Sequence, residues 1–222
     1  MKVLEIIPLL ISPLLFLILV LLAMKLMGKR EFRLFAGSYI AGILTVIPMI
    51  LVIYVISTYW LSSFTSLRRI IFFSFIMVGF MAEIVKFLIL RFYYIPKEII
   101  TKPFDGILFS LMIALGFSTT ANVYFYLTWN LTSDILAVNY VIPLANLLIG
   151  ILMGFFVGMA KFRTQSLDSF TGLTAAIFFH GFFVFNLISR DYLLLGLVFF
   201  GTMIIVIMLA FKSLNTNINT LY

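Results

Sequence analysis

The sequence of 222 residues has no cysteine, a single histidine, and charged residues at only 10% of its positions. Without cysteine the chain can form no disulfide bond, no thiolate nucleophile and no thiolate metal site. Hydrophobic residues make up 64% of the chain and include 26 phenylalanines, more than one soluble core of this size can bury. The composition therefore predicts an integral membrane protein.

The net charge of +7 does not indicate a nucleic-acid partner, because the basic residues stand in short segments between long apolar runs. Lysine and arginine in that arrangement are typical of the signals that orient membrane helices. We therefore expect the lipid bilayer as the surroundings of the chain and no binding of nucleic acid.

Seven apolar runs are long enough to cross a hydrocarbon layer of about 30 Å, which takes roughly 20 helical residues. Because lipid offers no partner to backbone N–H and C=O groups, the spans must be helices. The connecting segments leave no room for a soluble domain. The sequence predicts an all-α, polytopic transmembrane helical bundle in which residues 1–222 form a single integral membrane domain, with spans at 4–24, 34–60, 70–94, 105–129, 137–160, 170–188 and 192–211.

Lysine and arginine are distributed unequally between the two sides of these spans. The positive-inside rule assigns the richer side to the cytoplasm, which places the N-terminus outside and the C-terminus inside the cell. The cytoplasmic side receives Lys25, Lys29, Arg30, Arg33, Arg91, Lys97, Lys102, Lys161, Arg163 and Lys212, and the outer side receives Lys2, Arg68, Arg69 and Arg190.

Two ionisable residues, Glu83 and Lys86, interrupt the apolar stretch 77–94. A charge at this depth costs a few kcal/mol, about 3 on insertion scales, so it faces the interior of a bundle and has a partner. Because residues three apart share one face of a helix, the two side chains can pair with each other. A simple packing pair and part of a buried site both remain open as interpretations of these two residues.

Three further polar residues, Asn122, Asn146 and His180, lie at a similar distance from the outer ends of their spans. With Glu83 they predict one polar layer, contributed by four helices, in the outer half of the membrane. A zinc site usually takes three ligands of the His, Glu or Cys type. Only one histidine and one glutamate stand at this depth, so we predict no metal and no other cofactor.

Two features near the middle of the chain have ordinary structural interpretations. Asp105, at the start of the fourth span, is typical of an acidic residue that caps a helix and complements its dipole. Gly150, Gly154 and Gly158 form a stripe along the fifth span, here called the glycine stripe, that lets another helix approach closely. That helix is either another span or a substrate helix.

Four segments in order resemble the conserved motifs of the PrsW family of intramembrane proteases, which are related to the type II CAAX prenyl proteases. The resemblance covers residues 79–187, and the segments read GFMAEIVKFLIL, FDGILFSLMIALGFSTTANVYFYL, LLIGILMGFFVGMAKFR and FFHGFFVFNL. It implies a multi-pass peptidase of the bacterial cell membrane with a PrsW- and CAAX-protease-like core. The implied substrate is a membrane-tethered regulator, such as an anti-sigma factor, cut at an outward-facing site.

Several positions depart from the family's motifs where the chemistry is expected. In the first motif, EExxK, this chain has Glu83 and Lys86 but lacks the leading carboxylate. The second motif, DG followed by GFxxxEN, is matched by Asp105 and Asn122, among others, but not at its glutamate. The match makes Asp105, like Asn122, a candidate polar residue of the site. A histidine is expected in the third segment, and an Asp or Asn is expected four residues after His180. The residues found at these four positions are Ala82, Ala121, Asn146 and Val184.

These substitutions leave the activity open between two main hypotheses. The first is a pseudoprotease that binds a transmembrane or juxtamembrane segment of a client protein without cutting it. The second is an active endopeptidase in which Glu83 activates water, His180 carries the proton and Lys86 keeps Glu83 ionised, with Asn122 or Asn146 as the donor to the oxyanion. A small transporter or proton relay and a purely structural polar layer are further alternatives.

Overall fold

The computed structural model describes residues 3–27, 31–59, 66–128 and 133–216. Within these ranges the chain forms seven helices that are long and apolar enough to cross a membrane, and no strand, which confirms the prediction of an all-α polytopic bundle. The predicted ends of the second and fourth spans, residues 60 and 129, lie outside the described residues. The helices are α1 (Val3–Met27), α2 (Phe32–Tyr59), α3 (Leu67–Tyr94), α4 (Pro103–Thr128), α5 (Ser133–Arg163), α6 (Ser166–Ser189) and α7 (Tyr192–Asn215).

Helix α4 is the centre of the bundle. In its apolar stretch 83% of the residues are buried, against 22% in α1 and 11% in α7. It packs against α5 and α2 most extensively and also contacts α1. A helix that is surrounded in this way can present polar groups to several neighbours at once, which makes α4 the natural wall of an interior site.

The glycine stripe of α5 forms the contact between α5 and α4. A methyl group added to Gly154 would stand 2.8 Å from the carbonyl oxygen of Gly106, and one added to Gly158 would stand 2.6 Å from that of Pro103. Both distances are shorter than van der Waals contact, so only glycine allows the two backbones to lie this close. The stripe therefore serves packing within the protein, and the alternative of a substrate helix at this face is wrong.

A second close approach joins α2 to α4. A Cβ atom on Gly42 would overlap the backbone of Ile113, and one on Gly116 would overlap the backbone of Tyr39. Reciprocal glycines on two facing helices fix both their separation and their register. The position of α4 between α2 and α5 is thus set by backbone contacts on both of its sides.

Helix α3 changes its hydrogen-bonding pattern along its length. Wide π-type turns form Phe72–Phe80 and Leu90–Tyr94, and the α-helical segment Met81–Ile89 lies between them. A π-type turn holds more residues than an α-turn, so it rotates the side chains that follow it and is common near functional sites. The α-helical segment between the two contains both Glu83 and Lys86.

Candidate functional site

The side chains of Glu83, Lys86 and His180 meet at one carboxylate oxygen inside the bundle. The Lys86 Nζ donates a hydrogen bond to Glu83 Oε1 at 2.5 Å, and His180 Nδ1 lies 2.5 Å from the same oxygen. Glu83 and Lys86 come from α3, whereas His180 comes from α6, 97 residues further along the chain. The sequence predicts that Glu83 and His180 share one layer of the bundle, and in the structure their side chains are in direct contact.

Asn146 from α5 completes the cluster. Its Oδ1 accepts a second hydrogen bond from Lys86 Nζ at 3.0 Å, while its Nδ2 donates to the carbonyl oxygen of Ile142 at 3.0 Å. We call Glu83, Lys86, Asn146 and His180 the polar network. Three helices contribute to it, so its integrity depends on how α3, α5 and α6 are packed.

Phe117 of α4 forms the wall of the polar network. The Lys86 Nζ lies 4.3 Å from the centre of its ring, within the range of a cation–π interaction. The edge-on ring of His180 lies with its centre 6.2 Å from that of Phe117. Phe117 is the phenylalanine of the GF pair in the second motif that the chain resembles, but one phenylalanine among 26 gives no sign that it contacts Lys86.

The polar network is almost completely shielded from its surroundings. Only 1% of Glu83, 3% of Lys86 and 6% of His180 is exposed. In such a low-dielectric setting, a charge that lost its partner would cost several kcal/mol, on the order of 3–5. The ammonium of Lys86 beside the carboxylate of Glu83 leaves the pair with no net charge, which is what makes its burial tolerable.

The hydrogen bond between Glu83 and His180 also fixes the tautomer of the imidazole. An ionised carboxylate can only accept hydrogen bonds, so Nδ1 of His180 carries the proton. The remaining nitrogen, Nε2, is then the basic atom of the neutral ring. Chemically, the arrangement is a carboxylate that orients a histidine, a pairing that serves general-base catalysis in hydrolases.

Asn122 does not belong to the polar network. Its Nδ2 donates to the carbonyl oxygen of Asn139 at 3.1 Å and to that of Pro8 at 3.0 Å. In a regular helix the Asn139 carbonyl would accept from the backbone of residue 143, but that residue is Pro143 and has no N–H group. Asn122 supplies the missing donor and so joins α4 to α5 and α1. We call the hydrogen bonds of Asn122 to Asn139 and Pro8 the asparagine junction.

Asp105 lies in the first turn of α4 and makes its contacts there. Its Oδ2 accepts hydrogen bonds from the backbone N–H groups of Thr101 at 2.8 Å and Lys102 at 3.0 Å. Because α4 begins at Pro103, the aspartate is the third helical residue and reaches back to the cap rather than forming it. Lys161 of α5 secures the same loop by donating to the Lys97 carbonyl at 2.8 Å. These contacts stabilise the N-terminal end of α4.

The substituted positions next to the polar network are apolar and packed. Ala82 and Ala121 are 0% and 2% exposed and belong to one cluster with Phe117 and with residues of α2. Val184, one helical turn beyond His180 on α6, is half-buried. Neither alanine can accept or donate a proton, so Glu83 is the only carboxylate that the described residues bring into the network.

Curated relatives of the chain carry the name Protease PrsW. The chain is 27% identical over 165 residues to the protein of Shouchella clausii, covering 73% of this chain and 74% of that one. It is 25% identical over 156 residues to the protein of Geobacillus kaustophilus, covering 69% and 66%. It is 30% identical over 131 residues to the protein of Clostridioides difficile, covering 56% and 55%, so only about half of that relative is spanned. No solved structure matches the chain.

The family model described as PrsW family intramembrane metalloprotease matches residues 30–212. The name implies a metal ion, but the donor set of this chain does not fit one. The described residues contain no group of three His, Cys, Asp or Glu side chains that could hold a metal. In the polar network, His180 Nε2 is one possible ligand, while Oε1 of Glu83 and Oδ1 of Asn146 already accept from Lys86.

The match extends over most of the chain and agrees with the fold, with the relatives and with the motifs between residues 79 and 187. The chain is a multi-span membrane protein and belongs to the PrsW family of intramembrane proteases.

Proposed function

We propose that this PrsW-family protein binds a transmembrane or juxtamembrane segment of a client membrane protein and does not hydrolyse it. The observation that carries the proposal is the apolar packing of Ala82 and Ala121 beside Glu83. The motifs of the family place carboxylates at both alanine positions. The catalytic centre would then retain a single carboxylate, and that carboxylate is engaged by two nitrogen atoms.

Peptide hydrolysis in a buried site needs three functions. A base must activate water, a proton carrier must protonate the leaving amine, and donors must stabilise the oxyanion. In this chain both hydrogens of Asn122 Nδ2 are directed to backbone carbonyls, and Asn146 Nδ2 donates to Ile142. Asn122 could therefore stabilise an oxyanion only if one of its two bonds broke, whereas Asn146 Nδ2 has a second hydrogen to donate. Losing one member of a catalytic group commonly lowers the rate by orders of magnitude.

The binding half of the proposal rests on the framework that surrounds the polar network. The family match spans residues 30–212, and the glycine contacts between α2, α4 and α5 preserve close helix packing through the centre of the bundle. A scaffold of this family that has lost hydrolysis can still hold the segment that it was built to cut. The client class is a single-span membrane regulator, such as an anti-sigma factor.

The orientation in the membrane is part of the same proposal. Arg91, Lys97 and Lys102 surround the α3–α4 connection, and Lys161 and Arg163 end α5. The positive-inside rule assigns that end of the bundle to the cytoplasm, which places the α6–α7 connection outside. In a bacterial cell membrane the N-terminus would then face outward and the C-terminus the cytoplasm.

Co-expression with a library of tagged single-span membrane proteins tests the binding function. A photo-crosslinking amino acid at Ile142, which lies on α5 one turn before Asn146, would capture a bound client. We expect crosslinks to an intact client of defined sequence. The matched control carries the crosslinker at Leu197, an exposed position of α7. Equal capture of all library members at both positions would contradict specific binding.

An active endopeptidase is the second candidate, and one observation favours it: the 2.5 Å contact between Glu83 and His180. In this alternative the hydrogen bond assigns the base to His180 Nε2, which takes a proton from water, while Glu83 holds and orients the imidazole. This assignment of the base differs from the hypothesis drawn from the sequence, in which Glu83 itself activates water. Lys86 keeps the glutamate ionised in both assignments.

The two candidates separate in a cleavage assay with the same client library. Cleavage by the parent that Glu83→Ala and His180→Ala each abolish would establish the endopeptidase and contradict the pseudoprotease. Capture of an intact client by the parent and by both variants supports the binder. Because Lys161 stabilises the α3–α4 loop outside the polar network, Lys161→Met is the control for a general loss of folding.

A further inference from the structure

We propose that the polar network is independent of metal: the ammonium group of Lys86 is the counter-ion of Glu83, and it excludes a divalent metal from the site. The proposal concerns the electrostatics of the network and applies to a binder and to a protease alike. Its failure would therefore leave the proposed function standing, and the failure of the proposed function would leave this inference standing.

The first argument is the supply of ligands. The sequence contains one histidine and no cysteine, so any further ligands would have to be carboxylates or weaker oxygen donors. Three of the other carboxylates are engaged elsewhere: Asp105 bonds the backbone before α4, Asp168 pairs with Arg163, and Asp191 accepts from the backbone at the start of α7. Among the described residues, no third His, Cys, Asp or Glu side chain joins Glu83 and His180 in a group that could hold a metal, so the network has one ligand fewer than a protein zinc site usually has.

The second argument is the position of the ammonium group. Lys86 Nζ lies 2.5 Å from Glu83 Oε1 and 3.0 Å from Asn146 Oδ1, so it occupies the space between the oxygen atoms that a cation would need. A zinc ion bound to Oε1 at about 2.0–2.2 Å would approach the ammonium closely. Two positive charges at such a separation repel strongly in a buried site. Lys86 and a metal therefore compete for the same place.

The third argument is that the groups around the ammonium of Lys86 already stabilise its positive charge. Besides the two oxygens, the ring of Phe117 lies 4.3 Å from Lys86 Nζ and presents its electron-rich face. Only 3% of Lys86 is exposed, so the side chain is not a mobile surface lysine that could move aside for a metal. Carboxylate, amide oxygen and aromatic ring together form a binding site for a cation that is already filled from within the chain.

Metal analysis of the purified full-length protein tests this inference. The protein is purified in detergent from cells grown with added zinc, and its zinc content and thermal unfolding are measured with and without 1,10-phenanthroline. We expect far less than one zinc per chain and the same unfolding midpoint in both conditions. One zinc per chain that is lost in Glu83→Gln and His180→Ala, or a midpoint that the chelator lowers, would overturn the proposal.

A charge variant tests whether the ammonium is what excludes the metal. In Lys86→Met the carboxylate of Glu83 loses its counter-ion and Asn146 Oδ1 loses its donor, so Glu83, His180 and this weaker oxygen ligand could together hold zinc, and added zinc should raise the unfolding midpoint of this variant but not of the parent. Lys161→Met is the matched control, because it removes a lysine that bonds only backbone carbonyls. A Lys86→Met protein that zinc does not stabilise would overturn the role given to Lys86. If this variant does not fold, the zinc content of the parent still decides the main claim.

Discussion

Glu83 Oε1 and His180 Nδ1 lie 2.5 Å apart, although the two residues belong to different helices and are separated by 97 positions in the chain. The same oxygen accepts from Lys86, so a single atom joins the carboxylate, the ammonium and the imidazole. This shared oxygen links the two properties on which our account rests. The oxygen holds the imidazole of His180 in the orientation of a general base. The ammonium of Lys86, bound to the same oxygen, neutralises the charge of Glu83.

The buried ion pair should show strong coupling between its two partners. Lys86→Met leaves the carboxylate of Glu83 without its counter-ion, so we expect the free energy of unfolding to fall by about 3–5 kcal/mol. In the double variant Glu83→Gln, Lys86→Met no charge remains unpaired, and the loss should be smaller than the sum of the single losses. Unfolding in SDS titrations of mixed micelles provides the measurement.

The control for this cycle is the ion pair between Arg163 and Asp168, whose nitrogen and oxygen are 3.7 Å apart and whose arginine side chain is 37% exposed. Arg163→Met should cost about 1 kcal/mol or less. Additive losses for Glu83 and Lys86, or losses as small as that of the exposed pair, would contradict the description of a buried and coupled pair.

The asparagine junction predicts a dependence on Pro143. Asn122→Ala removes the donor to the Asn139 carbonyl and should lower the free energy of unfolding by about 1–2 kcal/mol. In a Pro143→Ala background the backbone of residue 143 has an N–H group that can reach this carbonyl. The cost of Asn122→Ala should therefore be smaller in that background. An equal cost in both backgrounds would show that Asn122 does not compensate for the proline.

The close contact of α4 and α5 predicts that glycine is required at Gly154. An added methyl group would stand 2.7 Å from Cα of Ile107 and 2.8 Å from the carbonyl oxygen of Gly106, both of which are backbone atoms that cannot rotate away. We expect Gly154→Ala to reduce the yield of folded protein, as measured by size-exclusion chromatography in detergent. Gly201→Ala is the control, since nothing lies within 4 Å of its added methyl group.

The absence of cysteine makes the orientation directly measurable by single-cysteine labelling. Tyr192, 58% exposed at the start of α7, should react with a membrane-impermeant maleimide in intact cells after substitution by cysteine. Gln165, exposed between α5 and α6, should become reactive as cysteine only after the cells are permeabilised. The reverse labelling pattern would show that the topology is inverted.

Much of the fold follows from hydropathy, because a backbone in lipid must satisfy its own hydrogen bonds and can do so only as helices. The seven apolar runs accordingly predicted seven helices. The pairing of Glu83 with Lys86 followed from their spacing on one helix face. His180 was expected in the same layer because its distance from the end of its span was similar.

Helix rotation is the part that the sequence could not provide. Helices that are apolar on all sides carry little periodicity, so the direction of each polar side chain is decided by packing. Asn122 shows the consequence: its depth suggested a place beside Glu83, but its helix directs it to α5 and α1. A signal was present in Pro143, since a proline within a membrane helix leaves a carbonyl that needs a donor. Phe117 matched the GF pair of the family's second motif, but that match did not indicate its contacts with Lys86 and His180.

Direct measurement of peptide-bond cleavage tests the central claim. The parent protein is reconstituted with the client that it captures, and new N-termini are quantified by mass spectrometry beside Glu83→Ala and beside a variant that restores the family's motifs through Ala82→Glu, Ala121→Glu, Asn146→His and Val184→Asp. We predict no new N-terminus above the Glu83→Ala background in the parent, and we expect cleavage only in the restored variant. Site-specific cleavage by the parent that Glu83→Ala abolishes would contradict the account.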